Sequence, residues 1–187
     1  MKHNDTRVRC GWAEANTLLA KYHDEDWGVP VHDDRLLFEM LNLEGAQAGL
    51  SWLTILTRRE NYRKAFDNFD ATKIARYDDA KRAALLQNAG IIRNRLKVNA
   101  VVENAKACLA MQKQYGSFDA YVWNFVEGKH FTEADHLEAT EVSKRMSKVM
   151  KKDGFRFVGP TTCYAFMQSV GMINDHVEKC FRATEIG

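Results

Sequence analysis

The chain has 187 residues, a formal net charge of +2 and 45% hydrophobic residues. This length and apolar content are sufficient for one sizeable hydrophobic core. The polar first residues, MKHNDTRVRC, and the absence of a long apolar run exclude a secretory signal and a membrane span. We therefore expect a compact cytoplasmic protein that forms a single domain over residues 1–187.

The residue pattern predicts an all-α fold. Only Pro30 and Pro160 interrupt the chain, and the alternating Val, Ile and Thr runs typical of strands are absent. DDRLLFEMLNLEGAQAGL predicts a helix that begins at an acidic cap and has Glu44 near its end. SWLTILTRRENYRKAF predicts a second helix, capped by Ser51.

Three further helices are predicted in the second half of the chain. DDAKRAALLQNAG and NRLKVNAVVENAKACLAMQKQYG are two of them, and Gly90 is the expected stop signal between them. EVSKRMSKVMKKDG predicts an amphipathic helix that ends at Gly154. Cys108 and Cys163 lie in apolar helical segments, so we interpret them as core residues.

Glu44 is the only carboxylate in the apolar segment LEGAQAGLSWLTIL, residues 43–56. A carboxylate buried without a partner costs several kcal/mol or becomes protonated. Two interpretations follow. Glu44 is either a helix-end carboxylate with a backbone or arginine partner, or a group that binds a ligand.

A stripe of basic residues between positions 144 and 156 is opposed only by Asp153. Its members are Lys144, Arg145, Lys148, Lys151, Lys152 and Arg156. The stripe fits a DNA-binding surface, and it also fits an ordinary solvated helix face.

The segment FRFVGPTTCYAFMQSVG follows this stripe, and Thr161 and Thr162 open its helix. Glycine at 159 lets the backbone approach a ligand closely, and the free N–H groups of a helix start favour an anion. The pattern predicts a helix-hairpin-helix element that holds a DNA phosphate. An ordinary connection between two helices is the alternative.

Four possible metal ligands lie near the two ends of the chain. His176 and Cys180 are four residues apart, on one face if the segment is helical, while Cys10 and His23 lie near the other end. Two Cys and two His can form a tetrahedral zinc site. A core histidine and a buried thiol are the alternative interpretation.

Five motifs, in order, resemble the 3-methyladenine DNA glycosylase I family of the helix-hairpin-helix superfamily. They are CGW at 10–12, YHDEDWGVP at 22–30, FEMLNLEGAQAGLSWLTIL at 38–56, AGIIRNRLKVNAV at 89–101 and FVGPTTCYAFMQSVGMINDHV at 157–177. The resemblance covers nearly the whole chain from Cys10 to Cys180. It leaves residues 1–9 as an expected flexible extension.

The resemblance implies an all-α helix-hairpin-helix DNA glycosylase fold with a structural zinc site that joins the N- and C-terminal segments. It implies a monomeric enzyme that acts on double-stranded alkylated DNA, excises 3-methyladenine and releases it as the free base. The zinc ligands of the family match Cys10, His23, His176 and Cys180.

The pocket residues of the family can also be carried over. The resemblance implies that Glu44 is the catalytic carboxylate, that Tyr22 contacts the base and that Trp52 stacks on it. Trp12 and Trp27 match neighbouring aromatics of the pocket wall. Three residues before Tyr22, where the family pattern has a further tyrosine, this chain has Leu19.

The expected DNA contacts fall into two groups. One group lies at the pocket entrance and comprises Gln47, Gly49 and Leu50, and the other lies on the basic helix and hairpin and comprises Lys151, Lys152, Gly159, Thr161 and Thr162. Leu50 could enter the gap left by an extruded base, although core packing explains a leucine equally well.

The superfamily's hairpin lysine and its aspartate after the hairpin are not evident in this chain. Thr161 stands where the lysine would attack the sugar, so hydrolysis by water to an abasic site is expected. Asn174 matches the aspartate. We expect Asp175 to be structural, as a cap or as a hydrogen-bond partner of His176.

These residues suit the chemistry of base excision. A base must leave the duplex before an enzyme can inspect it, and stacking and edge hydrogen bonds then hold it. An adenine edge offers an amino donor where guanine offers a carbonyl acceptor, so an ionised carboxylate distinguishes them. A non-catalytic DNA-binding module and a purely structural zinc protein are the competing classes, but neither explains Glu44 with Tyr22 and Trp52.

Overall fold

The computed structural model describes residues 7–186, and this part of the chain is mostly helical, as predicted. The α-helices are α1 (Thr17–Glu25), α2 (Asp34–Gln47), α3 (Trp52–Leu56), α4 (Arg59–Ala65), α5 (Ala71–Ile74), α6 (Asp79–Gln87), α7 (Arg95–Tyr115), α8 (Phe118–Trp123), α9 (His136–Lys152), α10 (Pro160–Ser169) and α11 (Phe181–Glu185). Short 3-10 turns occur at Gly11–Ala15, Asp67–Phe69 and Glu133–Asp135. None of the described helices is long and apolar enough to cross a membrane.

A small parallel strand pair, which the sequence did not predict, joins distant parts of the chain. Strand β1 (Phe131–Thr132) pairs with β2 (Ile173–Asn174), with Phe131 opposite Ile173. Each strand has only two residues, too few for an alternating pattern to be visible in the sequence.

Helix α2 is the central helix of the core. The Asp33 side chain accepts a hydrogen bond from Leu36 N at 2.8 Å and so caps it, as the acidic start predicts. Every residue from 37 to 46 is buried, because α2 is packed by α3, α7, α8 and α10. Glu44 lies one turn before the end of this helix, which confirms the sequence prediction.

A buried ion-pair network fixes α2 against α4. The Glu39 carboxylate is fully buried and accepts hydrogen bonds from Arg59 Nε at 2.6 Å and from Arg63 Nη2 at 2.7 Å. Arg59 also pairs with Asp26 at 2.6 Å, just beyond the end of α1. A buried charge needs such partners, and the network holds α1, α2 and α4 in one arrangement.

The C-terminal end of α2 is closed by Lys97 of α7. Its Nζ donates to the carbonyl oxygens of Ala46 at 2.8 Å and Ala48 at 2.7 Å. A lysine at these free carbonyls satisfies groups that the helix itself cannot. Gly49 and Leu50, which follow these two carbonyl groups, are exposed to solvent.

The sequence predicts one continuous second helix, and this prediction is wrong. Ser51 caps it as expected, with its Oγ accepting from Thr54 N at 3.2 Å, but the helix divides into α3 and α4. The Thr57 hydroxyl donates to Leu53 O at 2.9 Å, and the Arg58 guanidinium donates to Thr54 O at 2.9 Å. These side chains compete for carbonyls that a continuous helix would use.

Gly90 is not the stop signal of α6, because that helix ends at Gln87. Asn88 follows in an extended conformation, and its Oδ1 accepts from Gly90 N at 2.8 Å. A Cβ at Gly90 would lie 3.0 Å from Asn61 Cβ. Gly90 therefore permits close packing against α4, and Asn88 makes the turn.

The basic helix and the hairpin adopt the predicted form. Helix α9 buries Val142, Met146 and Met150 and exposes the lysines on its other face. The connection to α10 is fixed from inside, because Asn104 of α7 accepts from Arg156 N at 2.7 Å and donates to Arg156 O at 3.2 Å.

The two ends of the described chain lie against each other. Phe181 N donates to Val8 O at 2.9 Å, and Arg9 pairs with Asp24 at 2.7 Å. Residues 1–6 of the expected flexible extension lie outside the described residues. Arg7, Val8 and Arg9 are held by contacts with the helical domain, including an Arg7 cation–π contact with Phe181 at 4.5 Å.

Candidate functional site

A cleft of about 410 Å³ lies between α1, α2, α3 and α10. It is lined by Trp12, Leu19, Tyr22, Trp27, Glu44, Gln47, Ser51, Trp52, Leu53, Ala165 and Gln168. This volume is in the range of small-molecule sites. All five residues that the resemblance implies for catalysis and base binding therefore line one cleft.

Aromatic rings form most of the cleft wall. The Tyr22 and Trp52 ring centroids are 5.3 Å apart, and those of Trp12 and Trp27 are 5.0 Å apart. Trp12 is still 38% exposed, so one end of this wall is open to solvent. Leu19 also lines the cleft, which places an aliphatic side chain where the family pattern has a tyrosine.

Glu44 is only 5% exposed, and burial raises the pKa of its carboxyl to about 8, with the nearby Ser169 hydroxyl acting in the opposite direction. No ion pair reaches Glu44 among residues 7–186, in contrast to Glu39 on the same helix. The alternative of an arginine-paired carboxyl is therefore wrong. Burial therefore favours the protonated carboxyl of Glu44, whereas the sequence argument assumes the ionised form.

Tyr22 is buried in the wall of the same cleft, close enough to Glu44 for the two groups to interact electrostatically. Burial, and then the neighbouring Glu44 carboxyl, raises the pKa of Tyr22 well above its ordinary value. Its phenol therefore remains a neutral group that can donate or accept a hydrogen bond.

The four possible metal ligands converge in one buried cluster, with their ligand atoms within 4.8 Å of one another. The cluster comprises Cys10, His23, His176 and Cys180. Cys180 Sγ lies 3.3 Å from His23 Nε2 and 3.4 Å from His176 Nδ1, and the two imidazole nitrogens are 3.1 Å apart. A tetrahedral site with zinc–ligand bonds of 2.0–2.3 Å has edges of about 3.3–3.8 Å. The donor set therefore fits a metal ion closely.

The other imidazole nitrogens are held from outside the cluster. His23 Nδ1 lies 2.8 Å from Asp24 Oδ1, and His176 Nε2 lies 3.2 Å from Trp27 O. Burial opposes ionisation of Asp24, but hydrogen bonds from Arg9 and His23 lower its pKa below the usual value. A carboxylate or carbonyl behind each histidine directs the free nitrogen to the centre, as in metal sites.

The protonation states of the side chains in the cluster also bear on cation binding. Burial lowers the pKa of His176 to about 4, so its imidazole is neutral, the form that binds metals. Burial, with Cys180 adding to it, raises the pKa of the Cys10 thiol to about 11. A bound cation would reverse this effect, because it favours the thiolate.

His176 and Cys180 are brought together by a turn. The segment between them follows β2 and is not helical, and α11 begins only at Phe181. Asp175 is also not a partner of His176 among the described contacts, since its Oδ2 accepts from Gln168 Nε2 at 2.6 Å. The reason is that His176 Nε2 is already taken by Trp27 O.

The expected DNA contacts lie outside the cleft or at its entrance. Gln47 lines the cleft, while Gly49 and Leu50 belong to the exposed turn after α2. Leu50 is 40% exposed, so the core-packing interpretation of this residue is wrong. Gly49 has a φ of +76°, a conformation that favours glycine.

The second group of expected DNA contacts surrounds the α9–α10 hairpin. Lys151, Lys152 and Thr161 are exposed, and Gly159 and Thr162 are half-buried. Gly159 is the residue before α10, and a Cβ there would meet nothing within 4 Å. A side chain at position 159 would therefore meet no other described residue.

Sequence reasoning missed several residues of the site. Ser51, Leu53, Ala165 and Gln168 line the cleft, and Asp24 supports the cluster. The available signals were weak, although Asp24 directly follows His23 and Gln168 is a long polar residue in a mostly apolar helix.

The sequence of this chain is similar to those of known proteins. The methyladenine glycosylase family model matches residues 12–183. The DNA-3-methyladenine glycosylase of Haemophilus influenzae is 48% identical over 92% of this chain and 96% of its own length.

Two solved structures are also similar. A crystal structure of 3-methyladenine DNA glycosylase I covers 93% of this chain and 98% of its own, with 47% identity and a TM-score of 0.88. A Tyr-to-Phe variant of 3-methyladenine DNA glycosylase I in complex with 3-methyladenine covers 92% and 96%, with 32% identity and a TM-score of 0.87. The chain therefore belongs to the methyladenine glycosylase family.

Proposed function

We propose that this protein is a DNA repair glycosylase that excises 3-methyladenine from alkylated DNA by hydrolysis, with the extruded base held in the Glu44 cleft. The observation that carries this proposal is the buried Glu44 carboxyl, which has no ion-pair partner among residues 7–186 and shares its cleft with four aromatic rings. The relative from Haemophilus influenzae and the complex with 3-methyladenine support the choice of base.

The cleft offers both kinds of contact that an extruded base requires. Trp52 can stack on the base, with Tyr22, Trp12 and Trp27 completing an aromatic wall. Glu44 can bind the polar edge, where adenine presents an amino group. Stacking supplies affinity for any base, so discrimination depends on the polar groups.

The raised pKa of Glu44 makes the site responsive to the charge of its ligand. Methylation at N3 gives the base in DNA a positive charge, and this charge favours the ionised form of a nearby carboxyl. An undamaged, neutral base gives no such gain. A cationic base is also a good leaving group, so little acid catalysis is required. Because Thr161 stands where other members of the superfamily have the hairpin lysine, water is the attacking group.

Incubation of the purified protein with methylated duplex DNA tests the proposal, with released bases measured by chromatography. We expect free 3-methyladenine and abasic sites without strand cleavage. A pure DNA-binding module or a structural zinc protein would release no base, so the same measurement separates the three classes.

We also propose that the α9–α10 hairpin holds the duplex through its phosphates and that Gln47, Gly49 and Leu50 contact the duplex at the cleft entrance. Exposed lysines and an open helix start at Gly159 support a contact with the DNA backbone, which carries no base specificity. Leu50, exposed beside the cleft, could occupy the space that the extruded base leaves.

Replacing Lys151 and Lys152 together by Ala is expected to weaken binding to any duplex. Each lost phosphate contact reduces the slope of log affinity against log salt by about 0.9, so the double variant should have a slope shallower by about 1.8. Affinity for free 3-methyladenine should not change. A fluorescence titration of duplex DNA at several salt concentrations measures this.

The matched control replaces Lys73 and Lys113, which are exposed lysines outside the hairpin, by Ala. A hairpin variant with the same salt dependence as this control would show that the phosphate contacts lie elsewhere.

We further propose that the cluster of Cys10, His23, His176 and Cys180 holds one structural zinc ion. Two thiols and two imidazoles are a typical closed zinc site, and the contacts of His23 Nδ1 with Asp24 Oδ1 and of His176 Nε2 with Trp27 O, in which the oxygens accept, support this assignment. The ion would crosslink the two ends of the domain. Trp27 lines the cleft, and its backbone oxygen also contacts His176. The cluster would therefore also stabilise the cleft wall.

Cys180→Ser is expected to lower metal content and stability together, since a structural site contributes its binding energy to folding. Metal analysis should fall from one zinc per chain to substoichiometric values, with a Tm lower by several degrees. Cys108→Ser is the control, because Cys108 is buried outside the cluster and its loss should leave the metal bound. An equally stable wild-type protein without metal would contradict the assignment.

A further inference from the structure

Gln168 is a polar residue of the cleft wall, and a hydrogen bond to another residue fixes its side chain. It lies three residues after Ala165 on α10, so both residues share the helix face that lines the cleft. Its Nε2 donates to Asp175 Oδ2 at 2.6 Å. Its backbone oxygen accepts from Gly28 N at 3.0 Å, so main chain and side chain are both held.

The contact with Asp175 determines which way the amide faces. A carboxylate only accepts hydrogen bonds, so the NH₂ group of Gln168 must be the one that points to it. The Gln168 Oε1 atom then points away from Asp175. Among residues 7–186 no donor reaches Oε1, and it is not one of the buried unpaired atoms. It is therefore an acceptor that is open to a ligand.

Asp175 has a second hydrogen-bond donor besides Gln168. The Tyr164 hydroxyl donates to the same Asp175 oxygen at 3.4 Å, and His136 Nδ1 lies 2.9 Å from the Tyr164 hydroxyl. This chain of polar contacts leads from the surface at the start of α9 to the cleft wall. It gives the amide of Gln168 one preferred orientation.

We propose that Gln168 is a specificity-determining residue, which presents its side-chain oxygen to the exocyclic amino group of the extruded base, and that Asp175 is the positioning residue for its amide. The inference rests on the proposed function, since it assumes that a purine occupies the cleft. A guanine would bring its carbonyl oxygen against Gln168 Oε1, and two acceptors cannot pair.

Glu44 alone leaves this discrimination incomplete. With its pKa raised to about 8, the Glu44 carboxyl can keep a proton at neutral pH, and a protonated carboxyl can donate to a guanine oxygen as well as accept from an adenine amino group. An amide whose NH₂ is fixed on Asp175 cannot change in this way. Together, Glu44 and Gln168 therefore select more strongly for a base with an exocyclic amino group than either residue does alone.

The test compares the affinities of two free bases, 3-methyladenine and 3-methylpurine, which lacks the amino group. Gln168→Met keeps the length of the side chain and removes the acceptor. We expect it to weaken 3-methyladenine binding about threefold to tenfold, the range for one hydrogen bond between neutral groups, and to leave 3-methylpurine binding within twofold. Asp175→Ala should also reduce the preference for 3-methyladenine over 3-methylpurine. Its zinc content is measured in parallel.

Gln112→Met is the matched control, because Gln112 Nε2 donates to Asp34 Oδ2 at 2.7 Å in an equivalent pair outside the cleft. Its affinities should equal those of the wild type. Equal weakening of both bases by Gln168→Met, or no weakening, would overturn the role of Gln168. An unchanged preference in Asp175→Ala would overturn the positioning role. Wild-type protein that binds neither base would instead overturn the proposed function, and the inference with it.

Discussion

Replacing Glu44 by Gln should lower the excision of 3-methyladenine at least about tenfold while the protein still folds and binds undamaged duplex DNA. Gln keeps the size of the side chain and one acceptor oxygen but cannot carry the charge. A hydrogen bond to a charged group contributes about 1.5–3 kcal/mol, and the burial of Glu44 excludes water that would screen it. Single-turnover excision at saturating enzyme measures the effect at matched DNA occupancy.

The pH dependence provides a second measurement on the same variant. Binding of a cationic base favours ionised Glu44, so below its pKa of about 8 lesion binding releases a proton. Affinity for lesion DNA should therefore rise from pH 6 to about 8 and then level off. In Glu44→Gln this rise should be lost, whereas it should persist in Glu103→Gln, an exposed carboxylate paired with Lys106.

Thermal melting separates a catalytic effect from unfolding. The raised pKa of Glu44 stabilises the fold fully below pH 4.5, and this stabilisation is lost as pH rises through about 8. Gln does not titrate, so the variant should gain stability relative to the wild type towards pH 9. Near-normal excision by a well-folded variant would mean that Glu44 does not act on the base.

Gly171→Ala should be among the most destabilising single changes, by at least about 3 kcal/mol, or roughly 6–12 °C in Tm. Gly171 has a φ of +77°, and a Cβ there would lie 2.4 Å from both Pro30 N and Val29 C. The obstructing atoms belong to the backbone, so no side-chain rotation can relieve the overlap. Urea denaturation of both proteins measures the loss.

Gly116→Ala is the control for backbone conformation alone. Gly116 has a φ of +90° but no atom within 4 Å of its Cβ position, so this variant should lose only about 1 kcal/mol. Equal losses in the two variants would mean that the contact with Val29 and Pro30 adds nothing. The contact matters for the site, because the same segment contains Trp27, and Gly28 N is bonded to Gln168 O.

The sequence was most informative where local signals agree with the packing. The acidic cap of α2, the Ser51 cap and the amphipathic pattern of α9 all predict elements that the structure contains. Their signals lie within a few residues of each other, and tertiary contacts reinforce them. The convergence of Cys10 with Cys180, in contrast, came from the resemblance, because spacing says nothing about residues at opposite ends of a chain.

Side-chain contacts, some local and some between distant residues, account for what the sequence did not predict. The break between α3 and α4 depends on the Thr57 and Arg58 side chains taking carbonyls of the preceding turn. The raised pKa of Glu44 depends on packing by other helices, whereas Glu39, five residues earlier and equally buried, has two arginines. No periodicity in the sequence distinguishes these two glutamates.

The cluster at the ends of the chain also has a consequence for the order of folding during synthesis. Cys10 and His176 are 166 residues apart, so during synthesis the cluster can form only after His176 and Cys180 have left the ribosome. Until then the segment that carries Trp12 and Tyr22 has no anchor at the C-terminal side. A chain that stops before His176 therefore lacks two members of the cluster, and it also lacks the imidazole that contacts Trp27 O at the cleft wall.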